Sequence, residues 1–245
     1  MAKLKVIYEP RGRAREYSPL AVNLYSGCNH GCTYCYSPNC LQVDRQNFYD
    51  NPKARAEILS KIEFDCKQLA GSKTPVLLCF TCDAYQKLDD ELQITRSTLE
   101  LFKQYNINFQ ILTKAGRRAV RDFDLYKPGD AFATTLTFYD IRKSIYYEPQ
   151  AATPDDRITT IKIAKQEGIE TWVSFEPVLN DEEVYKLLDA THEHVDLYKV
   201  GKVSRFTPDK EINWDAFASE IVKRLEYYGK KYYIKDDLKK HLLTA

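Results

Sequence analysis

The chain has 245 residues, 44% of them apolar, with 36 Lys plus Arg against 35 Asp plus Glu for a formal charge of +1. No Gly/Ser/Pro-rich linker divides it, which suits one globular domain spanning residues 1–245, and the balanced charge excludes a general nucleic-acid coat protein, which needs surplus cations to displace counterions from phosphates. The longest apolar run, residues 76–80, is far short of the roughly 20 residues of a membrane-spanning helix, and residues 1–10 carry Lys3, Lys5 and Glu9 in place of a secretion signal, so the expectation is a cytosolic protein without a membrane segment.

In chain order, an extended segment over residues 3–8 precedes six apolar, β-type runs at 20–26, 75–81, 107–113, 131–137, 169–175 and 195–200. Stretches of helical period lie between and after them, at 51–70, 90–105, 153–167, 181–191 and 213–228; only the third connection is short. Strands alternating with helices predict βα units around a parallel sheet, with any site at the C-terminal strand ends. The helix at 153–167 has the clearest local signals: Thr153 as cap, Pro154 and Asp156 in the first turn, and Gly168 just past its end. A seventh extended run at 231–235, after Gly229, either pairs at a sheet edge or closes a barrel. Of two short basic clusters, Arg11, Arg13 and Arg15 read as solvated surface, while Lys114, Arg117 and Arg118 follow the third strand.

The seven cysteines are Cys28, Cys32, Cys35, Cys40, Cys66, Cys79 and Cys82. A reducing compartment disfavours structural disulfides, leaving free thiols, ligands or reactive groups. Three of them stand in Gly27-Cys28-Asn29-His30-Gly31-Cys32-Thr33-Tyr34-Cys35-Tyr36, directly after the first strand, where one loop can turn all three inward. Three thiolates can hold three irons of a cubane iron–sulfur cluster and leave the fourth iron open to a small molecule. The alternative is a structural tetrahedral zinc site made by Cys28, Cys32, Cys35 and Cys40, or with His30 in place of one of them, in a non-enzymatic binding module.

The Cys-x-x-x-Cys-x-x-Cys motif in a chain of six βα units resembles the radical S-adenosylmethionine superfamily. Residues 23–36, Thr81-Cys-Asp-Ala-Tyr-Gln86, Thr95-Arg-Ser-Thr-Leu-Glu100, Leu112-Thr-Lys114, Glu148-Pro149 and Arg157 resemble, in order and spacing, the blocks of the spore photoproduct lyase-related subgroup, often labelled DNA repair photolyases. The resemblance covers about 135 residues, 23–157. It implies an α/β fold of the partial (β/α)6 TIM-barrel kind, a [4Fe-4S] cluster on Cys28, Cys32 and Cys35, and S-adenosylmethionine on the open iron. It also implies reductive cleavage of that cofactor to a 5′-deoxyadenosyl radical that abstracts hydrogen from a substrate, with an electron donor such as flavodoxin or ferredoxin.

Carried over residue by residue, the resemblance puts Tyr34 beside the adenine and Asp83 near the methionine ammonium. Lys114 falls near its carboxylate or a ribose oxygen, and Thr135 beside the cofactor. Glu148 and Arg157 read as a structural pair, and Glu176, Lys199 and Lys202 as either substrate-side groups or a rim of salt bridges. The lyase of this subgroup has a hydrogen-donating cysteine three residues before the aspartate matching Asp83; here that position is Phe80. Strand alternation puts Cys82 on the face of Phe80 and Cys79 opposite, which makes Cys82 the donor candidate, or else a small core residue. Tyr36 is a relay candidate on the same side. The expected substrate is a nucleic acid base, for repair or modification, or alternatively a peptide or small metabolite.

Overall fold

A computed structural model describes residues 3–204, 206–208 and 211–242. Strand β1 (Leu20–Val22) is followed by β2 (Tyr25–Ser26), short helices α1 (Ser37–Leu41) and α2 (Arg45–Asp50), and β3 (Lys53–Ala54). Then come α3 (Ile58–Leu69), β4 (Val76–Leu78), α4 (Asp89–Leu92), α5 (Ile94–Gln104) and β5 (Phe109–Thr113). A 3-10 helix (Gly116–Leu125) leads to β6 (Ala131–Thr135), α6 (Ile141–Tyr147), α7 (Pro154–Gln166) and β7 (Glu170–Val178). The chain continues through α8 (Asp181–Thr191), β8 (Leu197–Lys202), α9 (Trp214–Tyr227), β9 (Lys231–Ile234) and α10 (Asp236–Lys239).

The main sheet has seven strands in the order β1-β4-β5-β6-β7-β8-β9, every neighbouring pair parallel. The expected α/β partial barrel is therefore present, with the 231–235 run pairing at the sheet edge as a seventh strand. No described helix is long and apolar enough to cross a membrane.

Where elements depart from expectation, a local cause is visible. The run at 20–26 breaks at Asn23, whose side-chain oxygen accepts from the backbone N–H of Phe80 and Thr81, each at 2.8 Å. Beyond it, β2 leaves the main sheet and pairs antiparallel with β3. The helix expected from 51 starts only at Ile58, after Glu57 in the left-handed region, and Gln93, also left-handed, divides the next helix into α4 and α5. Residues 3–8 add no strand beyond one antiparallel bridge from Tyr8 to Ala21.

The two faces of the sheet differ. Outward residues such as Val76, Leu78, Phe109, Ile111, Phe132 and Val173 join the helices in the large core, each full burial contributing roughly 1.5–3 kcal/mol. Inward, Leu77, Ala133 and Trp172 form a separate cluster with Tyr17, Phe80, Leu112 and Leu197 packed on it. Tyr17 thus fills the barrel interior from a segment outside the sheet, its carbonyl accepting from Gln110 at 3.1 Å and from Lys199 at 2.8 Å.

Candidate functional site

The C-terminal ends of the parallel strands surround a cavity of about 490 Å3, within the range of small-molecule sites. The cysteine loop and Tyr34 and Tyr36 form one wall, and residues 79–83 after β4 another. Lys114 after β5, Thr135 at the end of β6, Ser174 and Glu176 on β7, and Lys235 after β9 complete the ring. Every cofactor or catalytic residue singled out in the sequence therefore lines one space: Cys28, Cys32, Cys35, Tyr34, Tyr36, Cys82, Asp83, Lys114 and Thr135.

The cysteine loop is fastened by its backbone. Cys28 N–H donates to the Phe48 carbonyl at 3.1 Å and Thr33 N–H to that of Tyr147 at 2.9 Å. Tyr49 donates to the Cys32 carbonyl at 2.7 Å and Arg45 to that of Cys35 at 2.9 Å. α2 therefore serves chiefly as a clamp for the loop, a role that the lone arginine and tyrosine did not signal in sequence. Gly27 has φ +91°, and a Cβ there would meet the Phe48 carbonyl at 2.7 Å and Pro52 Cα at 2.8 Å, so only glycine lets the loop pass this close.

None of the seven cysteines is in a disulfide. Cys32 is buried, Cys28 and Cys35 are partly exposed and Cys40 is exposed. Burial pushes the Cys32 thiol up to about 12, and burial followed by the charge of Asp83 raises Cys28. Among the described residues no three His, Cys, Asp or Glu side chains converge on one ion position. A cubane, whose irons occupy separate corners, asks less convergence of its thiolates than a single zinc ion does. Three soft donors on one loop, beside a cavity of this size, fit a cluster with an open iron.

Asp83 is buried and fully engaged. Oδ1 accepts from Tyr85 N–H at 2.9 Å and the Thr113 hydroxyl at 2.6 Å, and Oδ2 from Lys114 N–H at 2.8 Å, with His30 Nε2 at 3.1 Å. Burial opposes its ionisation, but His30 and these donors outweigh burial and hold the carboxyl below its usual range. Asp83 thereby fixes the β5 end that carries Lys114. The Lys114 ammonium has no carboxylate within ion-pair distance among the described residues and lies 5.6 Å from the Tyr34 ring centre. It is a cationic group of the cavity able to take an anionic ligand.

Tyr34 is anchored from behind: its hydroxyl donates to Glu148, which pairs with Arg157 at 2.6 Å. Both charged side chains are buried, and Arg157 also donates to the carbonyls of Thr135 at 3.0 Å and Ala152 at 2.8 Å. The expected Glu148–Arg157 pair is present, and it links the Tyr34 ring to the strand end bearing Thr135. Tyr36 donates to the Phe80 carbonyl at 2.7 Å, joining the cysteine loop to the loop after β4.

The alternation argument for Cys79 and Cys82 needs correction. β4 ends at Leu78, so residues 79–82 no longer alternate, and both cysteines line the cavity.

At the rim, Glu176 is tied to Arg13 at 2.5 Å and to Lys235 at 2.6 Å, and accepts from Tyr17 at 2.5 Å. The salt-bridge reading therefore holds for Glu176, while Lys199 and Lys202 do not line the cavity: Lys199 reaches the Tyr17 carbonyl and Lys202 lies 3.0 Å from His241. Arg11 and Arg13 do line it, contrary to the surface reading of the first basic cluster, whereas Arg15 pairs outside with Glu9. Tyr17 and Lys235 had no sequence signal, and Arg13 only that of a basic cluster, since the three converge only when the sheet curves.

No family model matches the sequence, and no curated protein sequence matches it. Solved structures do. A variant of spore photoproduct lyase aligns with a TM-score of 0.73 at 11% identity, covering 97% of this chain and 80% of the lyase. Another, with bound S-adenosylmethionine and dinucleoside spore photoproduct, gives 0.70 at 14% identity over 96% and 79%. Streptococcus suis SuiB bound to S-adenosylmethionine gives 0.69 at 14% identity over 91% of this chain, which spans only about half (51%) of SuiB. Both are radical S-adenosylmethionine enzymes. The partial barrel expected from the resemblance is thus the fold that this chain shares with them.

Proposed function

We propose that this protein is a radical S-adenosylmethionine enzyme with a [4Fe-4S] cluster on Cys28, Cys32 and Cys35. The observation that carries the reading is the meeting of those three thiols with Lys114 and Thr135 around one cavity at the C-terminal strand ends. When bound, such a cluster supplies the electron that splits the C5′–S bond of S-adenosylmethionine and yields the hydrogen-abstracting radical.

The chain's own groups bind, orient and shield. Lys114 pairs with the cofactor carboxylate, and Asp83 holds Lys114 and the β5 end in register. Thr135 and the Tyr34 ring, backed by Glu148 and Arg157, form the wall on which the nucleoside rests. Cys82 donates hydrogen to the product radical and Tyr36 relays from the same side. The buried ring of strand ends limits water at the reacting atoms.

For the substrate we favour a nucleic acid base, in keeping with the lyase bound to a dinucleoside photoproduct. A peptide is the second reading, favoured by SuiB bound to its precursor peptide SuiA; a small metabolite falls in the same alternative. The electron donor is a one-electron carrier of the flavodoxin or ferredoxin type, consistent with a cytosolic protein.

Anaerobic reconstitution followed by dithionite reduction with S-adenosylmethionine tests the reading. Wild type and Cys40→Ser are expected to bind iron and release 5′-deoxyadenosine, and Cys32→Ala to do neither. Stoichiometric zinc without iron, lost together with folding in Cys40→Ser, overturns the reading in favour of the zinc module.

A further inference from the structure

Two tyrosines are exposed at the cavity side of the molecule yet held at fixed positions. Tyr8 is 37% exposed and Tyr36 43%. The backbone of Tyr8 pairs with Ala21 in both directions at 2.9 Å, and its hydroxyl accepts from the Asn23 amide at 2.8 Å. Tyr36 borders the cavity, and its hydroxyl donates to the Phe80 carbonyl at 2.7 Å. Asn23 in turn accepts from the Phe80 N–H at 2.8 Å. Both hydroxyls therefore end on one anchor, the Asn23 side chain and the peptide groups of Phe80, just where β1 and β4 give way to loops. Scattered exposed aromatics need no explanation, but two tied to one anchor offer their rings outward side by side, with the ordering entropy of binding already largely spent.

A cation stands with them. Arg11, three residues after Tyr8, is exposed and borders the same cavity as Tyr36. Its guanidinium has no carboxylate partner among the described residues, and Glu9, the nearest acid in sequence, is taken by Arg15. The neighbouring cations are already engaged: Arg13 holds Glu176 and Asp237, and Lys235 holds Glu176 and Glu16. Among the rim cations, Arg11 is thus the one left to take an anion from outside the chain.

We propose that Tyr8, Tyr36 and Arg11 form a platform at the cavity mouth for a single-stranded polynucleotide. Nucleotides flanking the one in the cavity stack on the two rings, and a backbone phosphate pairs with Arg11. This deepens, and rests on, the nucleic acid reading of the substrate given above. Fixed aromatic faces beside an unpaired guanidinium match what every single strand carries, a π-face on each base and an anionic group between bases. A duplex hides its base faces and demands a broad cationic surface, which a chain of net charge +1 does not offer.

The test measures fluorescence anisotropy of labelled hexanucleotides, (dT)6 and (U)6, with the full reconstituted chain over a series of salt concentrations. Wild type is expected to bind at least one of them more tightly than the duplex (dA)12·(dT)12, and the tighter of the two names the polymer. Tyr8→Ala and Tyr36→Ala are each expected to weaken binding about tenfold, and Tyr8→Phe and Tyr36→Phe, which keep the rings, to restore most of it. Arg11→Gln is expected to lower the slope of log affinity against log salt by about 0.7, the share of one phosphate contact on a single strand. Being exposed and unpaired, Arg11 can be changed without risk to the fold, which keeps the platform testable should an alanine variant unfold.

Tighter binding of the duplex overturns the proposal, as does binding that the ring and Arg11 variants leave unchanged. So does capture of a labelled uncharged decapeptide in place of both hexanucleotides, which turns the substrate toward peptides. Wild-type release of 5′-deoxyadenosine without hexanucleotide binding at any salt sinks the platform and leaves the radical reading standing. Binding of the expected form by a chain that holds no iron does the reverse.

Discussion

Replacing Arg157 by methionine keeps bulk but removes the charge behind Tyr34. In the folded chain Arg157 neutralises Glu148 and satisfies the carbonyls of Thr135 and Ala152, with both ionic side chains almost fully enclosed. Removing one partner of a buried pair strands the other charge and costs about 3–5 kcal/mol. Each carbonyl left without a donor adds about 1–3 kcal/mol unless water enters. These losses overlap, so a net destabilisation of about 4 kcal/mol is expected, a large part of the roughly 5–15 kcal/mol that holds a domain together.

The pH dependence is specific to this cause. In wild type, burial opposes ionisation of Glu148 but Arg157 outweighs it, so its folded pKa lies below the ordinary value. Its contribution is therefore present above the unfolded pKa and lost as pH falls through the folded one. In Arg157→Met burial prevails and the pKa moves above the ordinary value, so the variant recovers stability on acidification. Urea unfolding should show a gap between the two proteins that is widest near neutrality and narrows toward about pH 5. Glu148→Gln should partly rescue Arg157→Met in a double-mutant cycle. A loss below about 1 kcal/mol, or one independent of pH, would refute the argument.

Gly27→Ala forces a Cβ to within 2.8 Å of two backbone atoms at positive φ; the cysteine loop should open, with a stability loss above about 3 kcal/mol in thermal unfolding and loss of reconstituted iron. Lys114→Gln breaks no ion pair, so it should unfold within about 0.5 kcal/mol of wild type yet bind S-adenosylmethionine about tenfold more weakly, roughly 1.4 kcal/mol, in equilibrium dialysis; unchanged affinity counts against its assigned role. Burial, followed by Lys235, pushes the Lys199 ammonium down to about 8. Its charged form is thus penalised in the fold, and stability should rise as pH climbs from about 8 toward 10, a slope that Lys199→Met should lack in chemical denaturation.

Legibility in sequence followed how local the determining forces are. α7 and α8 fall within a residue of expectation because Thr153, Pro154 and Asn180 act on their own first turns. β3, α6 and the departure of β2 from the main sheet were not foreseen, since two-residue pairings and a one-cap helix depend on what packs against them. The cavity-facing position of Lys114 was readable from its place at a strand end, whereas that of Thr135, inside the expected run 131–137, came only from the resemblance. That both Cys79 and Cys82 border the cavity was not readable, because it required knowing that Asn23 and the loop take over from the ladder after Leu78. The rim was hidden for another reason: residues 13, 176 and 235 have no common pattern until distant parts of the chain meet.

The first and last strands of the main sheet do not pair with each other. The interval between them is bridged by residues 8–17, through the Tyr8–Ala21 bridge on one side and Glu16 on the other, where Glu16 accepts from Asp236 N–H at 2.8 Å and lies 3.6 Å from Lys235. The molecule therefore has a seam laced largely by side chains, where a closed barrel would have a backbone ladder. Its girth at the mouth is set by a few ionic laces, Arg13, Glu16, Lys235 and Asp237. Shortening or removing one of them changes the aperture offered to a substrate.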